Sequence, residues 1–308
     1  MNKNFFLLIA MIFLNAMVTS CHDELDRVPL SNLAPENFFN DLVESEIVLN
    51  GIYDKMANHY QQNFIYMSDH GSHVATMLFN NPLLNLYAWY TFDNTDRFVR
   101  DTWGTAYEVI YGSNLVINRV GQLETDDDVL KNRIIAEAKF LRALAYFNLV
   151  RFYGDVPLHL EELNDFENIE SVNKPRTSAT IIYEAIIDDL IFAEEHLYFA
   201  SWISDDSKPS YQIDDLGRAT IGAAKGLLAK VYLSRASFPE RNLDSYQLAF
   251  DKAKEIIDDA RYIIDPDYYN LNSLEGKTSH EWMFQIQYSV IGQQTSNWGG
   301  IHLSLIHI

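Results

Sequence analysis

The stretch Tyr87-Ala88-Trp89-Tyr90-Thr91-Phe92-Asp93-Asn94-Thr95-Asp96-Arg97 packs flat apolar rings and planar polar groups into a short span. Aromatic faces suit the C–H surfaces of sugar rings, and amide, carboxylate and guanidinium groups pair with adjacent hydroxyls. Trp89, Tyr90, Asp93, Asn94 and Arg97 are therefore candidate glycan-binding residues. Trp298, beside Asn297 and two glycines, is a further candidate for stacking. The same rings could instead cover a core. Composition does not separate these uses, because 18 Tyr and 18 Phe suit either one.

Other chemistries find less support. Asp69-His70-Gly71-Ser72-His73 places two imidazoles three residues apart without a firm third ligand, which falls short of a metal site. Asp188 and Asp189 are adjacent acids on a helical segment. Neighbouring helical positions point to different faces, so the pair cannot flank one glycosidic bond. They read as solvated helix surface. The chain shows no Gly-rich phosphate loop and no Gly-x-Ser-x-Gly elbow, so no catalytic residue, metal or cofactor is expected. A formal charge of −20 repels phosphate backbones and argues against a nucleic-acid partner.

The N-terminus sets the compartment. Lys3 precedes an uninterrupted apolar run from Phe5 to Leu14. Such a run rises only about 15 Å as a helix, too short to span a bilayer but suited to the h-region of a secretory signal. It ends in Val18-Thr19-Ser20-Cys21, which resembles a bacterial lipobox. Residues 1–20 are thus expected to be a lipoprotein signal peptide, with Cys21 lipidated and anchoring the chain to a membrane. The acids Asp23 and Glu24 resemble an export signal that places such lipoproteins on the cell exterior. Cys21 is the single cysteine, so no disulfide supports the fold.

The elements that must position the candidates are helical. Residues 21–40 read as an extended tether. Leu42, Ile47, Val48, Ile52 and Met56 approximate a helical stripe. Residues 58–98 lose that period and read as a long structured loop holding the aromatic stretch. The period returns at Trp103, Tyr107, Ile110, Asn114 and Ile117. Thr125-Asp126-Asp127-Asp128 reads as a helix cap with acids in its first turn. In the following segment Ala138, Leu141, Ala145, Leu149 and Phe152 form one apolar stripe, and Phe140, Leu144 and Phe147 a second. A helix apolar on two faces has neighbours on both sides. Gly154 ends it and Pro157 forbids its return.

Ser178 opens another helix, with Ile182, Ile186, Leu190, Ala193 and Leu197 as its stripe. Ala-rich residues 223–233 and their partner at 245–261 follow. Ala229, Tyr232, Ala253, Ile257, Ala260 and Pro266 approximate a tetratricopeptide pattern. Tyr146 and Ala193 make a degenerate earlier copy, enlarged by residues 155–177. Trp103 and Trp282 fall on periodic segments and read as core. Glu281 to Tyr288 alternates like a short strand.

Several motifs in order resemble the SusD/RagB family of Bacteroidetes. They are Leu25-Asp26-x-x-Pro29, Asn50-Gly51-Ile52-Tyr53, and Trp103 with Asn114. Glu137-Ala138-Lys139-Phe140-Leu141-Arg142-Ala143 then runs to Tyr153-Gly154-Asp155-Val156-Pro157. Last come Gly217-Arg218-Ala219-Thr220 and Glu281-x-x-Phe284-x-Ile286-x-Tyr288. The resemblance covers essentially all of 21–290. It implies an all-α fold of tetratricopeptide-like stacked helix pairs, with long inserted loops and little strand. It also implies a lipoprotein without catalytic activity that captures oligosaccharides and hands them to a TonB-dependent SusC-like transporter. In that family loops make the glycan site, and residues 87–97 resemble such a loop. Family members are usually much longer, so the helical domain at 41–290 is expected to be cut short. The tail at 291–308 is expected to be irregular and lacks family character. Two other functions remain in view. One is a tetratricopeptide-like adaptor for protein segments. The other is an anchored glycosidase, for which the paired carboxylates are missing.

Overall fold

The computed structural model describes residues 39–60, 62–72, 82–163, 172–237, 239–271, 273, 276, 279–286 and 304–306. The leader, Cys21, the Leu25–Pro29 motif, His73 and Trp298 lie outside these residues. From Asp41 onward the chain forms one compact unit, separate from Met1–Asn40.

The architecture is all-α, with helix after helix. They are α1 (Leu42–His59), α2 (Gln62–Ser68), α3 (Pro82–Ala88), α4 (Arg97–Gln122) and α5 (Asp128–Tyr153). There follow α6 (Ala179–His196), α7 (Ile221–Ala236), α8 (Ser245–Asp259) and the single turn α9 (Tyr268–Leu271). Each long helix packs on the next: α1 on α4, α4 on α5, α5 on α6, α6 on α7, and α7 on α8. This is the stacked-pair arrangement that the alternating apolar stripes require. Among the described residues strand is confined to two short antiparallel pairs. β1 (Val156–Pro157) pairs with β2 (Arg176–Thr177), and β3 (Phe284–Gln285) pairs with β4 (Ser304–Ile306). The tail expected to be irregular thus contributes a strand.

The centre of the stack is α5. Its residues from Arg133 to Val150 are buried apart from Lys139, which is half-buried, so both predicted stripes are in the core except for Phe152 at the helix end, which is half-buried. Asp127 caps the helix by accepting from the Leu130 N–H at 2.9 Å. Gly154 ends it at φ 67, a left-handed conformation that costs glycine little. Close approach elsewhere also depends on glycine. A Cβ at Gly112 on α4 would lie 3.1 Å from the Ile52 side chain of α1.

The structure corrects several expectations. Residues 58–98 are not a continuous loop: α1 runs to His59, and α2 and α3 lie within the span. Ser178 starts α6, yet its side chain makes no cap bond. Asp155, just after α5, supplies it instead, its Oδ1 accepting from the Ala179 N–H at 2.8 Å. On α8 the buried face is Ser245, Ala249 and Ile256, while Ile257 is exposed. Ala260 ends that helix in the left-handed region at φ 54 rather than extending its stripe. Trp282 is buried, whereas Trp103 is only half-buried, its ring edge-on to Tyr153 at 5.1 Å.

Candidate functional site

The aromatic stretch forms a surface bend built on a small apolar anchor. Tyr66 of α2, Tyr87 of α3 and Phe98 of α4 are buried together. Phe92 stacks on Tyr87, with centroids 4.8 Å apart and planes 13° apart. The Tyr87 hydroxyl donates to Asp96, whose carboxylate also caps α4 by accepting from the Phe98 N–H at 2.8 Å. The turn closes through Thr91 N–H to the Leu86 carbonyl at 2.8 Å. Tyr90 sits at φ 54, a strained setting for a bulky side chain, and its hydroxyl donates to the Gly71 carbonyl.

This scaffold presents what stacking on a sugar needs. Trp89 is 69% exposed and Tyr90 67% exposed, so neither serves as core. Phe92 is the ring that does cover the anchor. Asp93 accepts from both the N–H and the hydroxyl of Thr95, at 2.8 and 2.6 Å. Those bonds, the hydroxyl's first, hold its carboxyl below the usual range. Asn94 is exposed at the tip of the turn. Arg97 is the first residue of α4 rather than part of a loop, and pairs loosely with Asp101 at 3.8 Å. Trp89, Tyr90, Asp93, Asn94 and Arg97 are all exposed along this bend.

The motif residues of α5 form a second, buried arrangement. Glu137 is fully buried and its carboxylate meets four donors. Its Oε1 accepts from Arg133 at 2.6 Å and from the Tyr211 hydroxyl at 3.1 Å. Its Oε2 accepts from the Tyr53 hydroxyl at 2.7 Å and from Arg218 at 3.1 Å. Tyr53 in turn accepts from the Ala219 N–H at 2.9 Å. Burial, and then the Glu137 charge, raise both phenols far above their ordinary pKa, so they stay donors. One turn along, Arg142 forms a bidentate pair with Asp189 at 2.7 and 2.8 Å, and Lys139 joins at 2.7 Å. Asp189 is therefore buried in an ion cluster, not solvated. Asp188 alone faces water. Sequence reasoning missed this site because the acid's partners lie on another helix.

Two clefts adjoin the Glu137 cluster, and both include Asp215-Leu216-Gly217-Arg218. One, roofed by Trp282 and Phe284, holds about 30 Å³, room for about one water. The other holds about 370 Å³ and is lined by Asn50, Tyr53, Asp54 and Ala57 of α1, the 215–218 turn and Ile286. Only the second reaches the size of a small-ligand site, about 300 Å³ and above. Among the described residues no His/Cys/Asp/Glu group is arranged to hold a metal ion.

Comparison with known proteins shows the family and the fold. Residues 25–233 match the family profile described as "Starch-binding associating with outer membrane", SusD-like. A SusD-like protein of Formosa agariphila is 28% identical over 94% of this chain and 54% of its own length. A SusD superfamily protein of Parabacteroides distasonis, of known crystal structure, superposes at TM-score 0.68 with 27% identity. That match covers 80% of this chain and 51% of the other. A laminarin-binding SusD-like protein superposes at TM-score 0.62 with 25% identity, over 79% of this chain and 50% of the other. The chain spans about half the length of the curated relatives it matches.

Proposed function

Because this chain belongs to the SusD-like family, we propose that it is a cell-surface lipoprotein that captures oligosaccharides for uptake. It would hold glycan on the Tyr87–Arg97 bend, be anchored in the outer membrane through acylated Cys21, and pass its cargo to a TonB-dependent SusC-like transporter. It performs no chemistry on the sugar. The observation that carries this reading is the bend itself. Two large rings stand out in water on a segment pinned by a buried stack, a helix cap and a cross-segment hydroxyl bond. Exposed apolar rings cost solvation unless something covers them, and rigid rings lose little entropy on binding. Oligosaccharide binding also fits the laminarin-binding relative, which shares this fold.

The test is retention of the full chain in native gels containing soluble polysaccharides. Retardation without breakdown of the polymer supports capture, and breakdown would mean an enzyme. Trp89→Ala should weaken retention by about 1–3 kcal/mol, the loss expected for one stacking face. Unchanged retention removes the bend from the site.

A further inference from the structure

We propose that the cleft between α1 and the Asp215–Arg218 turn is a second carbohydrate-binding site, one that takes a neutral pyranose ring. The proposal rests on the capture function above, but on different residues from the Trp89 bend. The Asn50–Tyr53 motif and the Gly217–Thr220 motif are about 165 residues apart in sequence, yet they meet here. Tyr53 and Ala219 are joined by the 2.9 Å bond, and Glu137 binds both Tyr53 and Arg218 from below. The floor of the cleft is thus rigid, which lowers the entropy lost on binding.

The lining has the groups that a sugar needs. Asn50 and Asp54 lie four apart on α1, so their side chains stand on one exposed face. Opposite them Arg218 gives Nε to Asp215 at 2.8 Å and Nη1 to Glu137 at 3.1 Å. Its Nη2 has no partner among the described residues. An amide, two carboxylates and a free guanidinium nitrogen offer both donors and acceptors to vicinal hydroxyls. Leu216, Ala57 and Ile286 supply an apolar wall for the ring's C–H face. Charge sets the class of sugar. Asp54 and Asp215 outnumber Arg218 at the cleft, Glu137 beneath them being paired with both Arg218 and Arg133, and the whole chain carries −20. Uronic-acid or sulfated glycans would meet like charge, so the cleft favours an uncharged sugar.

The experiment uses the full chain in detergent, with Trp89 intact, in gels containing laminarin, xyloglucan, starch or alginate. Asn50→Ala/Asp54→Ala alters only exposed α1 side chains and leaves the Glu137 cluster whole; unchanged circular dichroism checks its fold. It should weaken affinity for the retained neutral polysaccharide by about tenfold, as for the loss of one or two polar contacts. Asn50→Trp, which fills the mouth of the cleft, should do the same, and alginate should not be retained. If both variants bind like the parent while Trp89→Ala weakens binding, this cleft is overturned and the capture function stands. Preferential retention of alginate overturns the neutral-sugar assignment. If the parent protein is retained by none of the four, both readings fall.

Discussion

Replacing Glu137 by Gln tests whether the four-donor cluster holds the helix layers together. The two side chains have nearly the same shape, so no cavity opens. The carboxylate has two acceptor oxygens, each already meeting two donors. The amide has one. Its NH₂ would point at two donors, either Arg133 and Tyr211 or Tyr53 and Arg218, and each guanidinium would lose its buried carboxylate and keep only a part-exposed one, Glu46 for Arg133 and Asp215 for Arg218. Arg133 and Arg218 side chains are only 6% and 14% exposed, so water cannot replace it. Breaking a buried ion pair costs about 3–5 kcal/mol. That is a large share of a net stability of about 5–15 kcal/mol. Urea unfolding followed by circular dichroism should show a lower midpoint with an unchanged slope. Glu46→Gln is the control. It also meets Arg133, but from a part-exposed position, and should cost less than about 1 kcal/mol. A Glu137→Gln loss as small as the control's would refute the reasoning, because Glu46 and Asp215 would then suffice to hold the guanidinium groups.

Two further outcomes are expected. His59 is buried between Thr105 and Asn148, and burial lowers its pKa to about 4. The unfolded chain takes up a proton near pH 6.5 and the folded one does not until about pH 4. Stability should therefore be full above about pH 6.5 and fall by up to about 3 kcal/mol as pH drops through that window. His59→Gln should flatten that dependence, and equal pH profiles for the two proteins would exclude the imidazole as its source. Cys21→Ala should abolish incorporation of labelled palmitate in cells and leave the protein out of the outer-membrane fraction; labelling that persists would place the lipid elsewhere.

What could be read from the sequence follows the reach of each signal. The two stripes of α5 were legible because a helix wedged between α4 and α6 must be apolar on both sides, and that is a local pattern. The anchor helices α2 and α3 were not. Each has seven residues, under two turns, which is too short for a period to repeat. On α8 the tetratricopeptide spacing pointed to Ile257, one residue past the buried Ile256. A rotation of one position moves a side chain by about 100°, and only packing against α7 decides it. Asp189 shows the same limit for charge. Adjacency established that it and Asp188 face apart, but not which of them meets Arg142, 47 residues away. At the candidate bend the residue types were legible and the pins were not, since Tyr90 is held by Gly71, 19 residues upstream.

The polar motif residues are an unexpected presence on an otherwise apolar helix, and the chain that follows α5 explains them. Residues 159–161 run across the helices with no ladder partner in β1 or β2, so their carbonyls need donors from elsewhere. Asn114 donates to the carbonyls of His159 and Glu161 at 3.0 and 3.1 Å. Arg142 donates to that of Leu160 at 3.0 Å, and also to Asn114 itself at 2.6 Å. Tyr146 donates to the His159 carbonyl and accepts its N–H, at 3.0 and 2.7 Å. The three carbonyls of this irregular crossing and the His159 N–H are thereby answered by side chains from α4 or α5. An apolar replacement at Asn114 or Arg142 would pack, yet it would take the side-chain donor from the part-buried Glu161 or Leu160 carbonyl, at about 1 kcal/mol. The residues that read as a family signature are, physically, the donors that let a loop lie against a helical stack, and Glu137 answers the same demand at the Ala219 end through Tyr53.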